Sequence, residues 1–489
     1  MYLGIDLGTS EVKLVLLDTG GAVVAQAGVK LGILRPHPGW SEQAPADWWA
    51  ATQTAVTRLR QLAPQAWGSV RAIGLSGQMH GAVLLDAIGE VLRPAILWND
   101  VRSAPQCEGL TRALPSLPQI AGNLAMPGFT APKLAWVREH EPAVFERVAK
   151  VLLPKDYLRW RMTGAFVSEM SDAAGTLWLD VAKRAWSDEL LAATGLTRAH
   201  MPELVEGSAV SARLSPEVAS AWGLSTSVLV AGGGGDNAAS AVGIGAVKPG
   251  DGFLSLGTSG VLFVVNDRFR PNPASAVHAF CHALPGRWHQ MAVMLSAASC
   301  LHWVTQLVGA ENEASLLART ETLTDAERDA APLFLPYLSG ERTPHNDANA
   351  RGVFFGMTHD TDARALAHAV LEGVAFGLRD GLDALRAAGT DVRSLALVGG
   401  GARSAMWAQL HADVLGVEVH TVEGGEAGGA LGAARLAWLA DGGSEAEVCR
   451  PPAMRQSFMP RTSRTAALAA RHQRFRGLYA ATRELFAQA

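Results

Sequence analysis

Two copies of the tetrapeptide Leu-Gly-Thr-Ser could bind phosphate. They occupy residues 7–10, in GIDLGTSEVKLVLLD, and residues 256–259, in FLSLGTSGVLFVVND. Glycine lets a backbone approach a ligand closely, and threonine and serine add hydroxyl donors to the amide donors of a turn. The candidate phosphate-binding residues are Gly8, Thr9, Ser10, Gly257, Thr258 and Ser259. One copy alone is equally compatible with an ordinary hairpin, but two copies facing each other across a cleft would hold one polyphosphate from both sides.

An aspartate precedes only the first of these motifs. Asp6 stands where the second copy has Ser255. A magnesium ion that bridges the β- and γ-phosphates commonly takes one or two protein carboxylates, directly or through water. We therefore predict that Asp6 is the acidic residue that holds Mg²⁺. Lys13, whose counterpart is Leu262, could approach a phosphate or remain solvated on the hairpin.

A second carboxylate follows a run of four glycines. The sequence VLVAGGGGDNAAS places Asp236 at the end of an apolar strand, directly after residues 232–235. A carboxylate at the C-terminal end of a strand could accept the proton of an attacking hydroxyl, which is the task of a general base. The alternative is that Asp236 only caps the helix that begins at Asn237.

A third glycine cluster, LVGGGARSAMW at residues 397–407, predicts a nucleotide pocket. It does not match a dinucleotide fingerprint, because Ser404 stands where that motif has its last glycine or alanine. Gly400, Gly401 and Ala402 lie at a predicted helix start, where they could form the floor of an adenosine pocket. The later glycines of GGALGAARLA are instead typical of helices that pack closely together.

The two phosphate motifs belong to an internal duplication. LGTSEVKLVLLD and LGTSGVLFVVND share seven of twelve residues, and each predicts a β-hairpin. In both halves short apolar strands alternate with longer helical patterns, such as the one over residues 363–388, so the predicted fold class is α/β. The turn-rich residues 248–252 predict two lobes, 1–246 and 247–489.

Composition limits the partners. The 489 residues are 48% hydrophobic and carry a net charge of −4 with scattered basic residues, which disfavours nucleic acid and acidic lipid and favours small neutral or anionic ligands. The four cysteines form no CxxC pair, which disfavours a zinc site or a disulfide framework. The first residues predict a strand rather than an export signal, and residues 288–310 predict a buried helix rather than a membrane span. We expect a cytoplasmic protein.

The motifs GIDLGTS, LSLGTSG, GGGDNAA and VGGGARS, in this order and over nearly the whole chain, resemble those of the FGGY carbohydrate kinases. Within that family SGQMHGAVLLD, RPAILWNDVR, NLAMPGFTAPKLAW, LLPKDYLRWRMTG, SDAAGTLWLDVAKR and LPYLSGERTPHND resemble the members that phosphorylate D-xylulose. The resemblance implies two lobes of the ribonuclease-H-like type, as in the actin, hexokinase and Hsp70 ATPase superfamily. It also implies ATP-dependent formation of D-xylulose 5-phosphate with Mg²⁺ in the cleft between them, and a homodimer.

The same resemblance assigns roles to residues. Asp236 matches the family's catalytic base, Asp6 the acidic residue of the first hairpin, and Met79 and His80 the pair that contacts the sugar. The first lobe would then hold the sugar and the catalytic aspartate, and the second lobe the adenosine pocket. The family pattern has three glycines before the catalytic aspartate where this chain has four, and we expect the extra glycine to loosen the turn rather than to shift Asp236.

A neutral ketose needs paired hydrogen-bond donors and acceptors rather than a charge clamp. Residues at loop positions that offer them are Gln78, His80, Asn99, Asp100, Asp236 and Asn237. Asp100 could instead form a salt bridge with Arg102 that shapes its loop, and His80 could be a buried histidine with satisfied bonds. The alternative functions are another sugar kinase, acting on ribulose, gluconate or glycerol, and a non-catalytic ATPase of the actin or Hsp70 type.

Overall fold

The structure, a computed structural model, describes residues 1–423 and 428–487. It contains two seven-stranded mixed sheets, one from each half of the chain. The first sheet consists of β1 (Tyr2–Leu7), β2 (Glu11–Leu17), β3 (Val23–Lys30), β4 (Ala72–Gly77), β5 (Val210–Arg213), β6 (Leu229–Ala231) and β7 (Gly234–Gly235). The second consists of β8 (Asp251–Leu256), β9 (Gly260–Asn266), β10 (His278–Cys281), β11 (Trp288–Met294), β12 (Ser394–Val398), β13 (Glu418–Val422) and β14 (Met454–Phe458).

Helices cover both sheets. Those of eight residues or more are α1 (Pro45–Leu62), α2 (Ala104–Ala113), α3 (Thr130–His140), α4 (Pro154–Thr163), α5 (Asp236–Gly243), α6 (Ala298–Leu307), α7 (Glu313–Glu321), α8 (Ala363–Ala387), α9 (Ala405–Leu415), α10 (Gly428–Ala440) and α11 (Thr462–Phe486). Shorter ones span Pro64–Trp67, Leu117–Ala121, Pro142–Phe145, Met170–Ala174, Asp188–Ala193, Pro216–Trp222, Asp325–Ala330 and Glu445–Val448, and 3₁₀ turns span Arg198–His200, Pro273–Ser275 and Gly400–Arg403. The predicted two-lobed α/β class is confirmed.

Small two-stranded sheets decorate the lobes. They pair Glu42–Gln43 with Ala95–Ile96, Val83–Leu85 with Lys150–Leu152, Val167–Glu169 with Glu203–Val205, Leu179–Asp180 with Ala185–Trp186, and Leu333–Leu335 with Val353–Phe355. Most of them lie in the segments between the hairpin and the last strand of each sheet. These segments therefore supply the loops that surround the cleft.

The two sheets repeat one topology. In the first, the order is β5-β6-β4-β1-β2-β3, with β7 also paired to β4; in the second it is β10-β11-β9-β8-β12-β13-β14. Both contain an antiparallel hairpin, β1–β2 or β8–β9, whose first strand also pairs in parallel with a later strand, β4 or β12. Both predicted hairpins are confirmed, and their turns lie at the same end of equivalent strands. The predicted boundary between residues 246 and 247 falls in the loop between α5 and β8 and stays a prediction.

One predicted element differs from the structure. The uncharged stretch 288–310 was expected to be a single buried helix, but it forms strand β11 followed by helix α6. The first part is a strand because it pairs on both edges, with β9 and with β10. No helix among the described residues is long and apolar enough to cross a membrane.

Helix α10 comes from the second half of the chain but packs on the first sheet. A Cβ atom on Gly4 of β1 would lie 1.9 Å from the carbonyl oxygen of Ala430, and one on Gly74 of β4 would lie 1.8 Å from that of Ala433. On the helix itself, a Cβ on Gly432 would lie 1.7 Å from the carbonyl oxygen of Ala239 in α5. Only glycine permits these approaches, which confirms the predicted close packing of this glycine-rich helix.

Candidate active site

The predicted carboxylates Asp6 and Asp236 lie near each other. Asp6 is the next-to-last residue of β1, and Asp236 is the first residue of α5, which follows directly on β7. Burial, and then the negative charge of Asp6, raise the pKa of Asp236 to about 6. Burial also raises the pKa of Asp6, and the neighbouring Ser76 hydroxyl and then the positive charge of Lys13 oppose this rise. Lys13 is the cross-strand partner of Asp6 in the hairpin, which puts its charge beside the carboxylates.

The structure places Asp236 one residue beyond the cap position of helix α5. Gly235 occupies the cap position, and Asp236 is already helical. Asp236 Oδ1 accepts hydrogen bonds from the backbone amide of Asn237 at 2.7 Å and from its Nδ2 at 2.9 Å. No residue in the described part of the chain donates a hydrogen bond to Oδ2. This oxygen can therefore accept a proton from a ligand.

The pair also fits a divalent cation. Asp6 Oδ1 is buried and has no hydrogen-bond partner among the described residues. Two neighbouring carboxylates repel each other unless a cation lies between them or one of them is protonated. Oxygen ligands from one or two carboxylates are also the donor set that Mg²⁺ takes beside phosphates. A Cβ on Gly429, at the start of α10, would lie 2.8 Å from Asp6 Oδ1, so glycine there keeps the space beside this oxygen open.

The glycine run before Asp236 is held by a buried polar cluster that the sequence did not reveal. Ser171 Oγ accepts a hydrogen bond from the Gly235 amide at 3.0 Å and donates one to Glu169 Oε2 at 2.8 Å. At the other end of the run, the Arg159 guanidinium donates to the carbonyl oxygens of Ala231 and Gly232. The backbone that leads to Asp236 is thus fixed at both ends.

A lysine and three carboxylates complete this cluster. Lys155 Nζ lies 2.8 Å from Asp156 Oδ1, 2.9 Å from Asp172 Oδ2 and 3.4 Å from Glu169 Oε1, and none of these side chains is exposed. Burial, in spite of Lys155, raises the pKa of Asp172 to about 8. The cluster belongs to the segments LLPKDYLRWRMTG and SEMSDAAG, where charged residues interrupt apolar ones. That interruption is the sequence feature that could have indicated it.

Close steric contacts explain why glycine occupies positions in this run. Gly233 has a φ of +84°, and a Cβ there would lie 2.2 Å from the carbonyl oxygen of Leu75. A Cβ on Gly232 would lie 2.2 Å from the carbonyl oxygen of Glu206. The run is therefore packed tightly against its neighbours. The expectation that the extra glycine loosens the turn finds no support in this packing.

His80 and Met79 lie next to the glycine run. A Cβ on Gly235 would lie 3.0 Å from Met79 Cγ, and one on Gly175 would lie 2.6 Å from His80 Cε1. His80 Nδ1 lies 2.6 Å from the carbonyl oxygen of Gly175, and the ring packs edge-on against Phe129 at 4.6 Å. Burial, and then the charge of Lys133, lower the pKa of His80 to about 3. The imidazole is therefore neutral, with Nδ1 donating to the carbonyl and Nε2 left as an acceptor.

Gln78 links this loop to the first phosphate turn. Its Oε1 accepts a hydrogen bond from the Thr9 hydroxyl at 3.0 Å, and its Nε2 donates to Gln43 Oε1 at 2.9 Å. Thr9 Oγ1 also accepts from Trp98 Nε1 at 3.0 Å. The Thr9 hydroxyl thus fastens the turn to the loop, and phosphate binding would fall to the turn amides and Ser10. A contact between Gln78 and a sugar stays a prediction.

Asp100 forms the salt bridge that was weighed against sugar binding. Its oxygens accept from Arg102 Nε at 2.9 Å and from Arg102 NH2 at 2.7 Å, and Oδ2 also accepts from the Ser41 amide at 2.6 Å. Arg102 stacks on Trp40, with its Cζ 3.5 Å from the ring centroid. Next to it, Asn99 Oδ1 is buried without a hydrogen-bond partner in the described chain. Asn99 therefore retains an acceptor for a ligand, whereas Asp100 mainly shapes the loop.

A cavity of about 370 Å³ opens between the two sheets. Its lining comprises Asn237, Ser240, Ile244, Phe253, Ser255, Val398, Gly399, Gly400 and Gly428. Asn237, which was predicted to contact the sugar, and Gly400, which was predicted to line the adenosine pocket, are brought together here. The apolar wall that faces them was not predicted. Gly401 does not line the cavity, because it packs against Leu256. A Cβ atom added to Gly401 would lie 2.6 Å from the Cβ of Leu256. Ala402 follows in the same 3₁₀ turn.

The second phosphate turn lies beside this cavity. The Gly257 amide donates to the Ser259 carbonyl oxygen at 3.0 Å, and the carbonyl oxygen of Thr258 accepts from the Ala297 amide at 2.9 Å. The side chains of Thr258 and Ser259 are exposed. In the first turn, the Gly8 amide donates to the Glu11 carbonyl oxygen at 2.9 Å. Each motif forms the bend of a hairpin whose first strand lies at the centre of its sheet.

Two duplicated α/β lobes, two glycine turns and a carboxylate pair beside an interlobe cavity define a phosphoryl-transfer fold of the actin and hexokinase type. The chain belongs to the FGGY family of carbohydrate kinases: residues 1–243 match the N-terminal domain of that family and residues 252–440 its C-terminal domain. It is 55% identical to the xylulose kinase of Escherichia coli K12 over 98% of both chains, and 37% identical to that of Bacillus subtilis over 99% of this chain and 97% of the other. The xylulose kinase structure from Brucella ovis superposes with a TM-score of 0.96 at 53% identity and covers 99% of each chain.

Proposed function

We propose that this protein transfers the γ-phosphoryl group of ATP to the terminal hydroxyl of D-xylulose, giving D-xylulose 5-phosphate and ADP. One observation carries the proposal: Asp236 lies between the nucleotide cavity and the sugar loop. The residue after it, Asn237, lines the cavity, and the residue before it, Gly235, packs against Met79. A base in this position can reach a sugar hydroxyl that attacks a phosphate held in the cavity. The names of the relatives support D-xylulose as the acceptor.

In this mechanism Asp236 Oδ2 accepts the proton of the attacking hydroxyl. Its pKa of about 6 leaves the carboxyl group mainly ionised at pH 7 and yet more basic than an exposed aspartate. The amides of the two turns neutralise charge on the transferred group, and His80 Nε2 and Asn99 Oδ1 accept hydrogen bonds from the sugar hydroxyls. Asp6 would hold Mg²⁺, which when bound would neutralise phosphate charge beside the base.

A coupled assay of ADP release tests the substrate. D-Xylulose, ribulose, gluconate and glycerol are compared at equal concentrations with Mg-ATP, and the phosphorylated product is identified by ³¹P NMR. We expect D-xylulose to give the highest kcat/KM. A higher value for another acceptor would replace the substrate, and ADP release that no sugar stimulates would favour the non-catalytic ATPase. In Asp236→Asn we expect kcat to fall by about 10²–10⁴ while ATP still binds.

A cytoplasmic location and a homodimer complete the proposal. All four cysteines are buried and unpaired, which suits a reducing compartment. Sedimentation of the purified protein would show whether the dimer forms.

A further inference from the structure

The segment LPYLSGERTPHND places an arginine, Arg342, close to the second phosphate hairpin. The Thr343 amide donates to the Val293 carbonyl oxygen at 3.0 Å, and the Val293 amide donates to Thr343 Oγ1 at 3.1 Å. Val293 of β11 pairs with Val261 of β9, the second residue after the turn. Thr343 Oγ1 also donates to the Ala276 carbonyl oxygen at 3.0 Å, just before β10. Arg342 is thereby fixed on the wall that the second lobe contributes to the cleft.

The guanidinium of Arg342 has no partner. Within the described part of the chain, no acceptor receives a hydrogen bond from it and no carboxylate lies within 4.0 Å, although the residue is partly buried. Two other buried arginines have carboxylate partners: Arg102 pairs with Asp100 at 2.7 Å, and Arg471 pairs with Glu372 at 2.5 Å. A cation withdrawn from water without a counter-ion is costly, so Arg342 is poised for an anionic ligand.

The neighbouring carboxyl group does not supply that counter-ion. Glu341 Oε1 accepts from the amides of Leu295 at 3.0 Å and Arg342 at 2.7 Å, so its side chain is directed to the backbone. Burial raises the pKa of Glu341 to about 8, which leaves it mainly protonated at pH 7. Among the described residues, the Glu341 side chain therefore bonds to the backbone and forms no ion pair with the Arg342 guanidinium.

Arg342 faces the sugar side of the cleft. It is not among the residues that line the nucleotide cavity. Burial lowers the pKa of both His278 and His80, and the charge of Arg342 adds to this lowering. The rings of both histidines pack on Phe129, at 5.6 Å and 4.6 Å. A neutral ketose cannot compensate a positive charge here. The anion that reaches this side during the reaction is the phosphoryl group that crosses to the sugar.

We propose that Arg342 binds the phosphoryl group as it transfers to the sugar and remains bound to it in the sugar phosphate. The inference rests on the proposed phosphoryl transfer and adds to it a contact from the second lobe. Arg342 exchanges no proton; its guanidinium supplies a planar pair of donors that matches two phosphoryl oxygens. It would bind the transition state and the product more strongly than either substrate.

The test compares Arg342→Gln and Arg342→Lys with Arg268→Gln, a control at an exposed arginine paired to Asp267. In Arg342→Gln we expect kcat to fall by about 10²–10³ while the KM for ATP stays within about twofold. Inhibition by D-xylulose 5-phosphate should weaken by about 10–100-fold. The lysine variant should recover part of the turnover and part of the product inhibition, because lysine restores the positive charge but not the planar pair of donors.

Wild-type protein supplies a second measurement that needs no variant to fold. Without nucleotide, calorimetry should show that D-xylulose 5-phosphate binds at least about tenfold more tightly than D-xylulose. Equal affinities, or an Arg342→Gln variant with unchanged kcat and product inhibition, would overturn the inference and leave the proposed function intact. If the wild-type protein phosphorylates another sugar instead, the proposed substrate fails, and the same comparison with that sugar and its phosphate decides the role of Arg342.

Discussion

Replacing Asp236 by asparagine should stabilise the ligand-free protein while abolishing most turnover. Burial and the charge of Asp6 raise the pKa of Asp236 from 3.8 to about 6, which means that folding disfavours its ionised form. A rise of this size corresponds to about 3 kcal/mol at most. Because the side chain is partly exposed and solvent screens its charge, we expect about 1–2 kcal/mol. Asparagine keeps an oxygen that can accept the Asn237 amide bond but carries no charge.

The sign of the effect depends on pH. The folded state binds this proton more tightly than the unfolded state, so the wild-type protein loses stability as pH rises from about 4 to about 6, and the loss is complete above that range. The advantage of Asp236→Asn should therefore be nearly absent at pH 4, grow through pH 5, and remain constant from pH 7 to 8.

Thermal unfolding midpoints across this pH range provide the assay. For about 250 residues, a change of about 1–2 kcal/mol corresponds to a shift of about 2–8 °C in the unfolding midpoint. Asp391→Asn is the matched control, since the Asp391 side chain is 84% exposed and its replacement should give no pH-dependent difference. An advantage of equal size at pH 4 and pH 8, or a variant less stable than wild type at pH 8, would refute the assumed repulsion between the two carboxylates.

Two further predictions concern the residues that support these carboxylates. In Gly429→Ala the new Cβ would lie 2.6 Å from Ser76 Oγ and 2.8 Å from Asp6 Oδ1, so we expect at least a tenfold rise in the Mg²⁺ concentration needed for half-maximal activity; Gly477→Ala, where a Cβ meets nothing within 4 Å, is the control. An unchanged Mg²⁺ requirement would show that Asp6 is not the metal ligand. Ser171→Ala removes the acceptor of the Gly235 amide, and we expect kcat to fall about tenfold with the KM for ATP unchanged and about 1–3 kcal/mol lost in stability. Loss of stability with wild-type kcat would make Ser171 structural only, and Ser171→Thr, which keeps the hydroxyl, should restore turnover.

The candidate residues that the sequence made visible are those whose context is local. Asp6 and the two turns were found because alternation and turn residues define a hairpin within about a dozen positions. Asp236 stood out because glycines precede it. For Asp100 the local sequence allowed two interpretations; the structure shows that Arg102, two residues away, and the amide of Ser41, 59 residues away, both bond to the carboxylate.

What sequence missed depends on contacts between distant segments. Arg159 bonds to carbonyl oxygens 72 and 73 residues further along the chain, and Ser171 bonds to an amide 64 residues away. No periodicity encodes such pairs. The helix predicted over 288–310 failed for a related reason, since its first half becomes a strand only through the neighbours on both sides.

The position of α10 limits how this protein could be divided. It begins at Gly428, 182 positions after residue 246, yet it covers β1 and β4 at distances that only glycine tolerates. A fragment ending at residue 246 would expose the surface of β1 and β4 around Gly4 and Gly74. The complementary fragment would carry helix α10 without the sheet on which it packs. The duplicated halves are therefore not exchangeable modules: each folds as part of the other, and fragments of the chain should regain structure only when they are mixed.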